Sequence, residues 1–316
     1  MRLAKALLLR LLYGVVSLIF ISFVAFLADE VAPGDAASVR AGEKATVEQI
    51  ERLREQMGLK RPMMVRYGEW LWKAAHLDFG TSYYGTREPV IDIVRRNLPM
   101  TMKIAFLAIL LSAAIGIALG TAAAVWENRV PDRAVLTLST LGVTLPNFVL
   151  APILVYVFAQ QLDRLPQNWG TPLVAPEWMY LVLPVCVLAA RPMATLTRLT
   201  RASMVETLKQ EFIKLAVAKG VPPRRLIFRH ALRNAILPVI TATGTSFGFL
   251  LTGSFVVETF FTLPGIGREA IEAIQKGNMP VVQACILITG VMFILLNMLV
   301  DLVLPVLDPR IRESQV

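Results

Sequence analysis

Long uncharged apolar runs dominate the hydrophobic pattern of this chain. Residues 11–28, 104–126, 134–162, 235–257 and 279–300 contain no Asp, Glu, Lys or Arg, and 178–197 is interrupted only by Arg191. Each run is about as long as the roughly 18 to 20 residues a helix needs to cross a hydrocarbon core of about 30 Å. Backbone polar groups in lipid must bond within their own segment, so the pattern predicts helices, six in all. The first run follows Arg2, Lys5 and Arg10 as a secretory signal would. It exceeds the usual core of about 7–15 residues and no small-x-small cleavage site follows, so a retained anchor is expected. Mean hydropathy of +0.59 and 17% charged residues agree with a membrane class.

Between the first two runs the periodicity changes. In TVEQIERLREQMG (46–58), Ile50, Leu53 and Met57 recur at helical spacing, with Thr46 as N-cap and Gly58 as the stop. YGEWLWKAAHLDFG (67–80) is aromatic-rich, and Trp70 and Trp72 suit either an interfacial belt or the core of a small cap. GTSYYGTR (80–87) has the glycine spacing of a phosphate loop without its Lys-Ser/Thr, and no other nucleotide loop occurs in the sequence.

Charge distribution orients the spans. The N-terminal tail, 127–133, 198–234 and the tail after about 305 carry three, two, nine and two Lys/Arg. The opposite short loops hold only Arg164, Arg268 and Lys276. The positive-inside rule therefore puts both termini in the cytoplasm. Segment 29–103 has eleven acids and eleven bases before Lys103, and reads as a solvated extracytoplasmic region. Neither Cys186 and Cys285 nor His76 and His230 have metal or catalytic spacing. Gly116–Gly120 and Gly244–Gly248 have the spacing that lets helices approach closely, as Gly253 also would, and Pro146, Pro152, Pro184 and Pro192 are potential kinks.

The basic loop KLAVAKGVPPRRLIFRHALRNAILP (214–238) is the most informative stretch. Met204–Lys219 lacks Gly and Pro, and Leu208, Phe212 and Leu215 fall on one helical stripe. Gly220 suits a left-handed cap, Pro222 ends the helix and Pro223 opens another. In that second helix Arg225, Arg229 and Arg233 are aligned, opposite Ile227, Phe228, Ala231, Leu232 and Ala235. The physics leaves two roles open, anchoring at anionic lipid and docking of a cytoplasmic protein. No recognition motif accompanies the arginines, which argues against nucleic acid.

EFIKLAVAKGVPPRRLIFRHALRNAILPVI (211–240) resembles the cytoplasmic signature loop of binding-protein-dependent ABC importer permeases, in the first-subunit type of the dipeptide/oligopeptide/nickel branch. The likeness extends through REQMGLKRPMMVRYGEWLW (54–72), LDFGTSYYGTREPVIDIVRRNLPMT (77–101), RLTRASMVETLKQEF (198–212), VVETFFTLPGIGREAIEAIQKGNMPVVQA (256–284) and LVDLVLPVLDPRIR (299–312). Ala216 and Gly220 match the loop pattern; Lys214 and Leu215 replace its Glu and Ala, and the gap to Leu237-Pro238 is longer.

The resemblance implies an all-α polytopic fold of the type I ABC importer permease class. Residues 1–95 would form the first span and extracytoplasmic segment, and 96–316 a five-helix core with its cytoplasmic loop at 198–237. It implies a transport subunit, not an enzyme, in a bacterial inner membrane. Its partners would be a second homologous permease, two ATP-binding subunits that hold ATP and Mg, and an extracytoplasmic substrate-binding protein. The ATPase-coupling loop would be 206–225, drawing on Glu211, Phe212, Lys214, Leu215, Ala216, Ala218, Lys219, Gly220, Pro222 and Arg225. Pathway or gate candidates are Arg191, Glu258, Phe261, Pro264, Gly265 and Asp301. For each of these a structural role competes: an ion pair for Arg191, capping near the interface for Asp301, a cap for the outer loop. Short peptides are the expected substrate, with nickel, glutathione or another small solute as alternatives. A membrane enzyme lacks any paired acid/base or metal constellation, and a stand-alone channel or an exporter fits the resemblance poorly.

Overall fold

A computed structural model describes residues 2–31, 36–42, 45–170 and 174–307, with side chains at 9–31, 37–42, 45–170, 174–300 and 302. In chain order the helices are α1 (Arg2–Val31), α2 (Ala36–Ala41), α3 (Val47–Gln56), α4 (Met63–Ala75) and α5 (Val90–Val125). Next come α6 (Val130–Thr144), α7 (Asn147–Val155), a π turn at Tyr156–Gln161, α8 (Glu177–Leu208) and α9 (Glu211–Ala218). The chain continues through α10 (Pro223–Arg225), a second π segment at Leu226–Ala231, α11 (Leu232–Ala235), α12 (Leu237–Phe260), α13 (Ile266–Lys276) and α14 (Met279–Leu307). Among the described residues the extended pairing is a single bridge, Thr81 with Pro89.

Among the described residues five helices, α1, α5, α8, α12 and α14, are individually long and apolar enough to cross a membrane. The run 134–162, expected as one helix, is instead two helices, α6 and α7, bent by 108°. Pro146 causes the break. It offers no N–H to the Gly142 carbonyl, and it forces Leu145 before it into extended backbone (ψ 120). Counted as one broken span, this pair is the sixth crossing.

The chain forms two compact units, 1–101 with 263–294 and 102–262 with 295–316. In the first, α4 lies on α1 through an aromatic cluster: Tyr67 meets Phe23 and Phe26 edge-on at 5.3 and 5.5 Å, and Trp70 packs on Phe26 and Tyr67. Trp70 is thus half-buried against α1, while Trp72 is 71% exposed. Tyr67 Oη shares a 2.8 Å hydrogen bond with the buried Ser22, and Arg66 pairs with Glu30. Thr46 caps α3 in a reciprocal box with Gln49, and Gly58 (φ +67) ends it, both as predicted. Asn278 closes the 80–90 loop, accepting from Tyr83 N–H at 3.0 Å and donating to Ser82 Oγ at 2.8 Å. Thr101 Oγ1 accepts the first N–H of α13, from Ile266, at 2.9 Å, and Asn97 donates to Glu269. Burial, reinforced by neighbouring Glu272, pushes the Glu269 carboxyl up. At the α5 entry Arg96 hydrogen-bonds Glu88 and holds its carboxyl below the usual range. That pair is well exposed and contributes little stability.

The second unit is organised on α8, against which α6, α7, α11 and α12 pack. Lipid tails are as apolar as leucine, so close backbone approach and interhelical hydrogen bonds hold such helices together. Gly116 and Gly120 let α5 touch α8: an added Cβ would lie 3.0 Å from Leu196 Cβ at the first and 2.5 Å from the Thr197 carbonyl at the second. One turn before them on α5 is Ser112, buried, donating to the Ala189 carbonyl of α8 at 2.9 Å. Near the base of the unit Asp132, buried at the start of α6, receives Arg201 of α8 in a two-pronged pair at 2.5 and 2.7 Å. Its carboxylate also accepts the Asn128 N–H at 2.8 Å.

Candidate functional site

Two sites emerge, both within the second unit. One is the loop around α9, whose helix does not continue from α8. Lys209 and Gln210 form a turn, with Lys209 N–H bonding the Glu206 carbonyl and Gln210 serving as the new N-cap. This two-residue interruption resets the helical register and overturns the stripe expected from continuous helix. Ile213 and Ala216 face inward, buried, while Phe212, Leu215 and Val217 are 43%, 56% and 57% exposed. Ile213 seats among Ala124 of α5, Met204 of α8, and Ala231 and Ala235 beyond the corner, with Val205, Leu208, Leu226, Ile227 and Leu232 around them. One short helix is therefore fastened to the C-terminal ends of α5 and α8 and to the short segments beyond the corner.

The corner itself follows the sequence expectation. Gly220 has φ +75, Gly220 N–H bonds the Val217 carbonyl at 2.9 Å, and Val221 N–H bonds Ala216 at 3.1 Å. These two bonds are the paired closure that ends a helix on a left-handed residue. Pro222 then leads to Pro223 at the first position of α10. A Cβ at Gly220 would meet nothing within 4 Å, so only backbone strain opposes a side chain there. Gly220→Ala is accordingly expected to cost about 1 kcal/mol, read as a lowered thermal midpoint of the detergent-solubilised chain. Beyond the corner, Arg225, Arg229 and Arg233 are exposed, but the π segment Leu226–Ala231 turns them out of one straight row. Phe228, expected on the apolar side, is 58% exposed. Of the remaining loop residues, Glu211 and Lys214 pair with each other at 2.8 Å, and Ala218, Lys219, Pro222 and Arg225 are exposed. Lys209 reaches Glu127 at 3.1 Å, tying the turn to the end of α5.

The other site is a cleft of about 710 Å³ between α8 and α12, bordered by the α6–α7 bend. Arg191, Pro192 and Thr195 line it from α8, Thr245, Ser246, Phe249, Thr252 and Gly253 from α12, and Asn147 from the first turn of α7. A smaller hollow of about 390 Å³ shares Asn147, Arg191 and Gly253 with it and runs along Thr144, Leu145 and Pro146. Arg191 is the fifteenth of 32 residues in α8, so it stands near mid-span, exposed, with no ion pair among the described residues. A bare guanidinium at that depth is costly in lipid, so this face meets water or protein. The two helices that line the cleft are also the least apolar of the individual spans. Gly253 opens onto empty space, whereas Gly244 lets Val300 in closely; the first shapes the cleft and the second is packing.

Of the pathway candidates named from sequence whose side chains are described, only Arg191 lines this cleft. Glu258 is fully buried, and Phe261 is buried with its carbonyl taking the Trp169 N–H at 2.9 Å, a clasp that Thr262 completes by donating to the Trp169 carbonyl. Pro264 and Gly265 precede α13, with Gly265 as its N-cap. Asp301 lies in α14, its side chain outside the described residues. The hydroxyl and amide lining was missed. Its signal was present as Thr245, Phe249 and Thr252 at i, i+4 and i+7, with Ser246 and Gly253 one residue on from the ends, in an otherwise apolar run.

Comparison with known proteins gives these sites a context. Residues 3–105 match the family model described as the N-terminal part of a binding-protein-dependent transport system membrane component. Residues 116–313 match the one described as a binding-protein-dependent transport system inner membrane component. The "Probable peptide ABC transporter permease protein y4tP" of Sinorhizobium fredii is 36% identical over 306 residues, 96% of this chain and 97% of that one. The glutathione transport system permease protein GsiC of Escherichia coli is 37% identical over 303 residues, again 96% and 97%. A solved structure titled as an amino acid ABC transporter with histidines aligns with TM-score 0.48 and 19% identity, covering 69% of this chain and 94% of that chain. The chain belongs to the binding-protein-dependent ABC importer permeases, a family of multi-pass membrane transport subunits.

Proposed function

We propose that this chain is the permease subunit of an ATP-driven importer of short peptides, contributing one half of the path and coupling to a separate ATPase through α9. The observation that carries the coupling is the two-faced α9: Ile213 and Ala216 locked inward, Phe212, Leu215 and Val217 presented outward. An amphipathic helix with an unburied apolar edge suits insertion into a partner's groove. The partner set comprises a second homologous permease, two ATP-binding subunits carrying ATP and Mg, and an extracytoplasmic binding protein that delivers substrate. The α8–α12 cleft is this subunit's share of the path. Both termini face the cytoplasm of a bacterial inner membrane, a parity that needs α6–α7 to count as a crossing. Peptide cargo draws on the names of the relatives; glutathione, itself a tripeptide acid, is the second reading on the same ground.

The test is Leu215→Glu, which puts a charge on the outward face and leaves the inward seat intact. Uptake by the assembled importer should fall roughly tenfold or more, as for truncation of a buried interface anchor, while membrane insertion is retained. ATP hydrolysis should no longer respond to loaded binding protein. Native coupling in this variant would remove α9 as the contact.

A further inference from the structure

The lining of the α8–α12 cleft is chemically one-sided. It holds one permanent cation, Arg191, four hydroxyls, Thr195, Thr245, Ser246 and Thr252, and the Asn147 amide. No Asp, Glu, His or Cys lines the cleft or the hollow that adjoins it, among the described residues. Hard divalent cations need carboxylate or carbonyl oxygens and softer ones need imidazole or thiolate, and a fixed guanidinium repels both. Thr195, Thr245 and Thr252 give their protons to the preceding turn and offer lone pairs to a peptide's N–H groups, while the Asn147 amide can also donate to its C=O groups. A guanidinium's planar fork matches a carboxylate, two bonds at once. The volume falls within the range of about 300–1,000 Å³ usual for small-solute sites. Arg191 is also uncommitted, having no acidic partner among the described residues.

We propose that Arg191 receives the substrate's carboxylate as it crosses the membrane, so that the path accepts peptide acids and rejects bare metal cations. This rests on the cleft being part of the translocation path. Rings of basic side chains select anions in pores by the same electrostatics.

The experiment is a four-way comparison in proteoliposomes containing the whole importer with saturating binding protein. Uptake of trialanine and of its C-terminal amide is measured for the native complex and for Arg191→Gln. The same binding protein serves all four combinations, so its own preference cancels in the ratio. The substitution should cut uptake of the acid about tenfold, the value of a charge-assisted hydrogen bond, and leave uptake of the amide nearly unchanged. Arg191→Lys should restore part of the loss. Equal losses for acid and amide overturn the carboxylate contact, as does carriage of free Ni²⁺ by the native complex. The underlying path is tested separately with Thr245→Cys, in a background where Cys186 and Cys285 are alanine. Reaction with a water-soluble thiol reagent during turnover supports the cleft as path, and failure to react overturns that reading along with the inference. Absence of uptake of both peptides by the native complex overturns the peptide reading itself.

Discussion

Asp132→Ala is expected to destabilise the permease core by about 3 kcal/mol, seen as a lowered thermal midpoint and poor yield from the membrane. The carboxylate is almost fully buried and takes two bonds from Arg201 and one from the Asn128 N–H. Removing it leaves a guanidinium and a backbone donor without an acceptor, and the cost of a broken buried pair is mostly that stranded charge. The lower end of the usual range applies because the Arg201 side chain remains 21% exposed. Arg201→Met should do similar damage, since it strands the more deeply buried partner. Asp132→Leu with Arg201→Met should recover much of the loss, because replacing both ions by apolar groups removes the desolvation penalty itself. A loss below about 1 kcal/mol for Asp132→Ala would place the pair among solvated surface bridges.

The second large effect belongs to Gly120. Any side chain there begins with a Cβ 2.5 Å from the Thr197 carbonyl oxygen, 2.6 Å from Thr200 Cβ and 3.0 Å from the Arg201 backbone nitrogen. Two of these atoms are backbone of α8, which cannot rotate out of the way, so α5 must move. Gly120→Val should cost roughly 3 kcal/mol, at the upper end for overpacking, in the same unfolding assay. Gly253→Ala, with nothing within 4 Å, should cause no loss of stability and supplies the control. Equal behaviour of the two glycines would mean that α5 and α8 are not in contact as described.

Much of this fold can be read from charge-free runs, because a membrane demands a length of uncharged helix and little else. The caps on α3 and the Gly220 corner could be read for a different reason: a left-handed residue or a capping box needs particular side chains at fixed offsets. What escaped was register. Nothing in Lys209–Gln210 marks a break, since neither residue is Gly or Pro, yet the turn rotates α9 until Ile213 rather than Phe212 faces the core. The cleft was half visible for a similar reason. A mid-span arginine stands out, whereas serine and threonine are ordinary in membrane helices because they can satisfy themselves on the preceding turn. Thr195 does so on the Arg191 carbonyl and Thr245 on that of Thr241. Only the placement of α8 beside α12 shows that these hydroxyls share a space.

The bend at Pro146 also bears on how the protein is made. The Gly142 carbonyl has lost its backbone donor there, and an unsatisfied carbonyl in hydrocarbon costs several kcal/mol. A segment 130–161 released into lipid by itself would carry that penalty until something covered it. Gly142 lies against α8, where an added Cβ would come within 3.1 Å of Ala194 and 3.3 Å of the Ala190 carbonyl. α8 is also the next long helix to leave the ribosome. Gly142 lets the broken span sit directly on the α8 backbone, so packing on that neighbour compensates for the backbone bond the bend gives up, which favours handing the two segments to the bilayer as a pair.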